Sequence, residues 1–482
     1  MKQAVSIFWK DVRHMWLDLS VYGLLLTVLT LVSPHTWLGR TEGGGTLGMF
    51  VDLLVLLLAV CWLVIIARAV QEDRLAGQEQ FWVTRPYHWT SLLAGKLLFV
   101  AVCVVAPFLL MQWALLFSAG LNPLTAGAGM SVSLLLFTLI VWLPFVMIAS
   151  VTEGLAMAFT LLAGILIVWA GLLTWIISGS DIRTSPPYVF ELFTTTFGVL
   201  LSAILIYQYS QRRTLHSRFA ITAALMLFLL LVLGYDKSRF GAPVQALIRH
   251  QYPVAAGGGL HLVYMSGPLG YEDRREASQI PHGYVEVKFP VRIEGVPPER
   301  KLHGASILVE IKAGSDSYKS PWQTAKLGDH AISFFVPEKI FDRFAEINAA
   351  VHLEVAAEEL SPRRTGEIRI ADKFVGPAGG ACELVRGKVY CRYAYHQEVP
   401  AKVEADVRSG MCDEDSLRTQ IAVPLRWVPA GTIADPVVSE AWPFQGQICT
   451  GDSVTFTEYS PAGKFRLLLD VPAVKLSEYR LR

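Results

Sequence analysis

The first half of the chain alternates long apolar segments with short polar connections. Seven segments are apolar over a length close to the roughly 20 residues that a membrane-spanning helix needs. Pro107 and Pro144 lie inside the third and fourth segments, where we expect kinks. The predicted spans are about Leu19–Ser33, Gly48–Ala69, Ser91–Phe117, Met130–Ala149, Leu155–Ile177, Val189–Tyr207 and Phe219–Tyr235.

The second half follows a pattern with a period of two residues. Residues Tyr284–Ile293 alternate apolar and polar side chains, and several later stretches repeat this alternation between turns rich in Gly and Pro. Such runs are typical of antiparallel strands in a β-sandwich or in a pair of small β-domains. One helical stretch, Pro337–Ile347, interrupts them. We therefore predict a mainly-β, sandwich-like domain over residues 236–482.

Charged residues divide the chain in the same way. Residues 1–234 contain 12 Lys and Arg and 10 Asp and Glu, whereas residues 235–482 contain 30 and 31. No charged residue occurs from Leu97 to Thr152, and a soluble domain cannot cover its surface with such a sequence, although a bilayer can solvate it. The near-neutral balance of each half argues against a nucleic-acid partner.

The positive-inside rule orients the predicted spans. With a cytoplasmic N-terminus, only Arg40 and Arg183 of the first half face outward. We therefore expect an integral protein of a bacterial inner (cytoplasmic) membrane, with residues 71–96 in the cytoplasm and residues 236–482 periplasmic or extracellular. The basic residues that then face the cytoplasm are Lys2, Lys10, Arg13, Arg68, Arg74, Arg85, Lys96, Arg212, Arg213 and Arg218.

Residues 1–18 have the spacing of an amphipathic helix. Apolar side chains recur every three or four residues, which predicts a helix lying on the inner membrane surface and leading into the first span. The alternative is a charged segment that merely precedes that span. The apolar face contains Val5, Phe8, Trp9, Val12, Met15 and Trp16, and the opposite face contains Lys10, Asp11, Arg13, His14 and Asp18.

Four of the six cysteines lie in the predicted outer domain, where an even number suggests disulfides. The stretch from Cys382 to Cys391 reads as a β-hairpin with Arg386-Gly387 as its two-residue turn, which places the two cysteines opposite each other. This pairing leaves Cys412 with Cys449. The alternative is four buried free thiols. No Cys-x-x-Cys spacing or His pair supports a metal site.

Motifs for catalysis are missing from the sequence. There is no P-loop, no HExxH and no GxSxG, so we predict no catalytic residue and no bound cofactor on this chain. Asp52 and Glu153 are the acidic residues closest to the membrane interior. Both fall at predicted span ends, which favours a solvated role at the interface over a site within the membrane.

The connection from Gln71 to Lys96 is unusually rich in polar and aromatic residues for a link between two spans. It begins with Glu72 and Asp73, and Phe81 and Trp82 precede a proline turn. Exposed aromatic side chains on a short protruding helix often mark a contact surface. The alternative is a connector whose tryptophans belong to the aromatic belt of the membrane interface.

This connection resembles that of the permease subunits of type-2 ABC exporters. Their loop between spans two and three carries an acidic residue, a Gly, a short apolar helix, a Pro-containing turn and a Gly-Lys or similar pair. The resemblance covers about residues 1–210 and departs from the family at Gly77-Gln78-Glu79-Gln80, where members commonly have Gly-Thr, an apolar residue and Glu. The matching residues are Glu72, Gly77, Phe81, Trp82, Arg85, Pro86, Gly95 and Lys96.

The resemblance implies a six-span permease core over residues 19–210, to which this chain adds a cytoplasmic loop and seventh span over residues 211–235. It also implies a separate ABC-type ATPase subunit, which would carry ATP and magnesium, and a second permease subunit in a homo- or heterodimer. The uncharged spans favour an amphipathic or lipid-like substrate, with membrane lipid around them. The ATPase-docking residues would be Glu72, Asp73, Gly77, Glu79, Phe81, Trp82, Arg85 and Pro86.

A second interpretation comes from a different class of protein. The chain would be a membrane-anchored sensor or assembly protein, and its outer β-domain would bind a ligand or a protein partner. The connection from Gln71 to Lys96 distinguishes the two, because only a transporter needs it for docking.

Overall fold

A computed structural model describes most of the chain, and its described residues form two compact units. The first unit comprises residues 1–166, 193–226 and 365–458, and the second comprises residues 167–192, 227–364 and 459–482. The described residues are 2–37, 46–72, 88–164, 187–211, 214–234, 241–255, 259–265, 283–327, 331–394, 402–408, 417–421, 435–441 and 448–480.

Three helices of the first unit are long and apolar enough to cross a membrane. They run over Trp16–Thr36, Thr46–Gln71 and Trp89–Ser118 and contain the first three predicted spans. We call the first α2 (Trp16–Val32, ending in a 3₁₀ turn) and the second α3. Within the described residues these are the only helices that combine the required length and apolar composition, so the prediction of seven spans is confirmed for three.

The other predicted spans fall on helices that are shorter or only partly described. Residues 165–177 of the fifth predicted span lie outside the described residues. The fourth predicted span falls on α6 (Gly127–Phe137) and α7 (Leu143–Val151), and the fifth falls partly on α8 (Leu155–Gly164). The sixth falls on α9 (Pro187–Gln211) and the seventh on α10 (Thr214–Gly234).

Both prolines predicted to kink the spans follow a π-helical turn. The third of these apolar helices consists of α4 (Trp89–Phe99), a π segment (Val100–Val105) and α5 (Ala106–Ser118), and Pro107 is the second residue of α5. Pro144 has the same position in α7, after a π segment at Thr138–Trp142. Proline lacks the N–H of a regular turn and its ring crowds the preceding carbonyls, so a wider turn before it relieves the conflict.

An aromatic cluster forms the centre of the helical core. The rings of Trp62, Phe108, Phe137 and Trp142 lie 4.9–5.8 Å apart between centroids, mostly edge to face. The buried Tyr22 hydroxyl donates a 2.8 Å hydrogen bond to the Val104 carbonyl in the first π segment. It also accepts one from the Trp62 indole N–H at 3.2 Å. The cluster therefore joins α2, α3, α5 and α6 to the two π segments.

A four-stranded antiparallel sheet belongs to the same unit as these helices. Its order is β10 (Lys373–Val375), β11 (Ala381–Val385), β12 (Lys388–Ala394) and β15 (Val437–Ala441). Two further strands of this unit, β13 (Lys402–Arg408) and β14 (Leu417–Ile421), pair with each other.

The predicted disulfide hairpin is confirmed. Cys382 and Cys391 face each other across β11 and β12 and are joined by a disulfide. Arg386 and Gly387 both have positive φ, 51° and 77°, as a type I′ hairpin turn requires. The second predicted pair, Cys412 with Cys449, stays a prediction because Cys412 lies outside the described residues.

This hairpin sheet contacts the apolar helices at the end of α2. The buried Trp37 indole, directly after α2, donates a 2.9 Å hydrogen bond to Asp435 Oδ2 just before β15. The Arg392 guanidinium lies 5.8 Å above the same indole ring. Ala394 and Val437 share one apolar core with the helices. Residues of β12 and residues at the start of β15 therefore anchor the sheet to the helical part of the unit.

The second unit is mainly β and has its own apolar core. The sheet of β2 (Tyr284–Phe289), β8 (Ile332–Pro337) and β7 (Lys326–Leu327) supplies one part of this core, together with α12 (Glu338–Phe344) from the predicted helical stretch. The antiparallel strands β4 (Lys301–Ala313) and β9 (Ala349–Arg369) supply another part of this core. The mainly-β prediction is confirmed. The further strands are β1 (His261–Tyr264), β3 (Val291–Glu294), β5 (Asp316–Lys319), β6 (Gln323–Thr324) and β16 (Ser453–Val474), and a helix α11 covers Gly241–Gln251.

A carboxylate on β9 joins three elements of the second unit. The buried Glu354 accepts a hydrogen bond of 2.5 Å from Arg249 on α11 and one of 2.8 Å from Arg466 on β16. Burial raises the pKa of Glu354, but the hydrogen bond from Arg249 and the charges of both arginines outweigh this, so its pKa lies below the ordinary 4.5.

We expect Glu354→Gln to lower the stability of the second unit by about 1.5–3 kcal/mol at neutral pH, the range for hydrogen bonds to charged groups. A lowered pKa stabilises the fold above the ordinary value of 4.5 and loses this effect as the pH falls further. Thermal unfolding of wild type and variant should therefore converge below that pH. Glu338→Gln, at an exposed glutamate, is the control, and a difference that persists in acid would contradict the assignment.

Replacing Cys382 and Cys391 together by Ser should destabilise the hairpin by about 2–3 kcal/mol, because the disulfide restricts the unfolded chain between them. Hydrogen exchange measured by mass spectrometry should speed up in residues 381–394. Cys61→Ser with Cys103→Ser is the matched control, since these two cysteines are free. Equal hydrogen-exchange rates in the hairpin of wild type, variant and control would contradict a stabilising role of the disulfide.

Candidate functional site

The predicted docking connection begins at the end of α3 and finishes in α4. Of its docking residues the structure describes Glu72, while Asp73, Gly77, Glu79, Phe81, Trp82, Arg85 and Pro86 lie outside the described residues. Their role stays a prediction. The described residues around them form a frame, and this frame is the candidate site.

The amphipathic segment forms helix α1 (Lys2–His14), which packs against α4. Gly95 lies at the contact, where a Cβ atom would come within 3.1 Å of the Ala4 carbonyl oxygen and of the Ile7 side chain. These approaches are tighter than ordinary van der Waals contacts, so a larger residue at position 95 requires the neighbouring atoms of α1 to shift. Gly95 therefore has a packing role in the structure.

A buried ion pair joins the same two helices. The Lys96 ammonium lies 2.8 Å from Asp11 Oδ2, and the two side chains are 2% and 0% exposed. The helical pattern predicts Asp11 on the polar face of α1, and the positive-inside rule predicts Lys96 on the cytoplasmic side of the membrane. The structure buries the two charges against each other, so the expected exposure of Asp11 on the polar face is wrong. The cytoplasmic side of Lys96 stays a prediction.

Two further ion pairs surround this buried one. Lys10 lies 3.6 Å from Glu72 at the end of α3, and Arg68 lies 2.6 Å from Asp18 at the start of α2. Such partly exposed pairs contribute little to stability by themselves. Their positions matter more, because α1 thereby contacts Glu72 on one side of the connection and Lys96 on the other.

Neighbouring helix ends join the same polar region. The Gln71 amide donates to the Thr152 hydroxyl at 2.8 Å, after α7. On α10, Arg218 donates to the Val151 carbonyl at 2.9 Å and lies 3.5 Å from Glu153. Glu153 is exposed at the end of a helix, and Asp52, in the first half of α3, is also exposed.

The chemistry of this region is that of a structural frame. Its members are paired acids, bases and amides, and the described part of the chain contains no group of three or more His, Cys, Asp or Glu side chains that could hold a metal. The arrangement can fix the positions of three helix ends relative to α1. The pairing of Asp11 with Lys96 could not be predicted from sequence spacing. The one signal in the sequence is the four-residue step from Ile7 to Asp11, which places Asp11 on the same helix face as an apolar residue.

Comparisons with protein-family models, curated proteins and solved structures found no match. The resemblance to ABC permeases therefore rests on the residues of the chain itself.

We expect Lys96→Met to destabilise the packing of α1 on α4 by about 3–5 kcal/mol, because it removes one partner of a buried charge pair. The double variant Asp11→Leu with Lys96→Met should recover most of that loss. Thermal unfolding of the purified protein in detergent measures both. Arg68→Met, in the more exposed pair with Asp18, is the control and should cost less than about 1 kcal/mol. Additive losses in the double variant would refute a direct coupling between Asp11 and Lys96.

Proposed function

We propose that the chain is the membrane permease subunit of an ATP-driven ABC exporter, and that a separate ATPase subunit docks on the connection between α3 and α4. ATP and magnesium belong to that partner, and a second permease subunit completes the transporter. The observation that supports this most is the contact of one helix, α1, with Glu72 and Lys96 on the two sides of the connection.

A docking element has to pass movement on to the helices that it joins. A connection with loosely held ends would absorb a displacement, whereas ends fixed to a common helix move together with it. The buried pair of Asp11 and Lys96, with the close packing at Gly95, makes α1 and the start of α4 one rigid piece. This favours rigid-body transmission from a bound ATPase over a passive connector.

The location of the disulfide supports the proposed orientation. The sheet with the Cys382–Cys391 disulfide contacts Trp37 at the end of α2, whereas Asp18 at the start of α2 lies beside Arg68 near the connection. The sheet and the connection therefore lie at opposite ends of α2. Disulfides persist in oxidising compartments, so we assign the sheet to the periplasm or cell exterior and the connection to the cytoplasm.

The proposed permease has a six-span core with a seventh span, in a bacterial inner membrane. Three of these spans are the described apolar helices. The third carries no charged residue after Lys96, and none follows as far as Thr152. A pathway lined by such helices suits an amphipathic or lipid-like substrate better than an ion.

The decisive experiment is purification of the intact protein from its native membrane in mild detergent, followed by identification of co-purifying proteins. We expect a P-loop ATPase with wild type and a large loss of it with Phe81→Ala plus Trp82→Ala. The matched control is Trp113→Ala plus Phe117→Ala, which removes the same two types of side chain from an exposed helix face. This control should retain the ATPase.

Two outcomes would overturn the proposal. If folded wild-type protein brings no ATPase, the chain is not an ABC permease, and the alternative of a membrane-anchored sensor or assembly protein takes its place. If the ATPase stays bound to the Phe81 and Trp82 variant, the transporter class survives but docking on this connection is refuted.

A further inference from the structure

Helix α1 has a second face, opposite the one that packs on α4. Ile7 and Asp11 are buried against α4. The other side of α1 carries a stripe of exposed side chains at helical spacing, formed by Lys2, Val5, Trp9 and Arg13. Steps of three and four residues place these four side chains on one face of a helix. Arg13 therefore lies on the face of Val5 and Trp9, and its expected place on the opposite face is wrong. Val5 is 43% and Trp9 56% exposed, so the stripe is open. We call it the outer stripe of α1.

The composition of the outer stripe is an apolar and aromatic centre with a basic residue at each end. Asp11 is the one acidic residue in α1, and it is buried beside Lys96. Lys10, the remaining lysine of the helix, lies beside Glu72. Lys2 and Arg13 have no acidic partner among the residues that the structure describes. The buried ion pair thus removes the one negative charge of α1 from its open surface.

We propose that the outer stripe of α1 binds the anionic headgroups of phospholipids in the bilayer around the apolar helices. Trp9 and Val5 would enter the boundary between headgroups and acyl chains, and Lys2 and Arg13 would contact lipid phosphates. Charge complementarity decides the occupant, because an open stripe with two basic ends and no exposed acid favours an anionic surface. The proposal is independent of whether the chain is a transporter.

The same geometry explains how α1 stays in place. One face is held to α4 by the Asp11–Lys96 pair, and the opposite face remains available to lipid. A helix fixed on one side presents its basic and aromatic side chains at a constant position. Binding then needs little ordering of the protein.

The test measures lipid retention by the intact purified protein with native mass spectrometry. The protein is offered phosphatidylglycerol and phosphatidylcholine in equal amounts, and the affinity for each lipid is read from the bound species. We expect tighter binding of phosphatidylglycerol to wild type. In Lys2→Gln plus Arg13→Gln this affinity should fall about fivefold for each charge removed, with phosphatidylcholine binding unchanged.

The matched control is Lys373→Gln plus Lys388→Gln, which removes two exposed positive charges from the hairpin sheet of the same unit. It should leave the binding of both lipids unchanged. A third variant, Trp9→Ser, should weaken both lipids alike because it removes an apolar contact and no charge.

Three results would overturn the proposal. The first is phosphatidylglycerol binding that is unaffected by the changes at Lys2 and Arg13. The second is an equal loss in the Lys373 and Lys388 control, which would mean a general charge effect. The third concerns the Lys2→Gln plus Arg13→Gln variant. If its lipid binding is unchanged but it loses an acidic protein that co-purifies with wild type, the outer stripe is a protein contact.

Discussion

The buried ion pair of Asp11 and Lys96 is the interaction on which the polar end of the helical unit depends. Removing two charges from water costs folding free energy unless they lie close together. Here the Lys96 Nζ atom lies 2.8 Å from Asp11 Oδ2. The pair therefore favours the arrangement of α1 on α4 in which the two charges meet. Gly95 beside it permits the close backbone approach that brings the charges within reach. The position of α1 then determines where Lys10 meets Glu72.

The opposite end of the helices is held by a different kind of contact. There the Trp37 indole donates to Asp435, and the disulfide hairpin supplies residues that pack with the helix core. The aromatic cluster around Trp62 joins the helices within their apolar region. Polar contacts thus fix both ends of the helices, and aromatic packing with two π segments fills the region where prolines interrupt regular hydrogen bonding.

The features that sequence reasoning predicted are local or compositional. The hairpin from Cys382 to Cys391 was predictable because a two-residue turn sets the register, and the register places the cysteines opposite each other. The three long apolar helices were predictable from length and apolar composition. Prolines indicated where helices would be irregular, although not that the irregularity would be a π turn.

Long-range polar contacts could not be predicted in the same way. Asp11 and Lys96 are 85 residues apart, and Trp37 and Asp435 are 398 apart. A charged residue in an amphipathic pattern is ordinarily assigned to water, because burial is favourable only when a partner is present. The partner comes from the tertiary fold, which a single sequence does not reveal. The largest error, at Asp11, therefore occurred at the residue that carries the main contact of the candidate site.

A buried charge pair also has a property that apolar packing lacks, and under the proposed function this property explains its location. Apolar side chains tolerate a shift of one helix along another with partial repacking, whereas a displaced ion pair would leave charges buried without a partner. Pushing on the connection would then move α1 and α4 together, without sliding between them. A contact that resists sliding suits the position directly beside a docking element, where an external subunit would apply force.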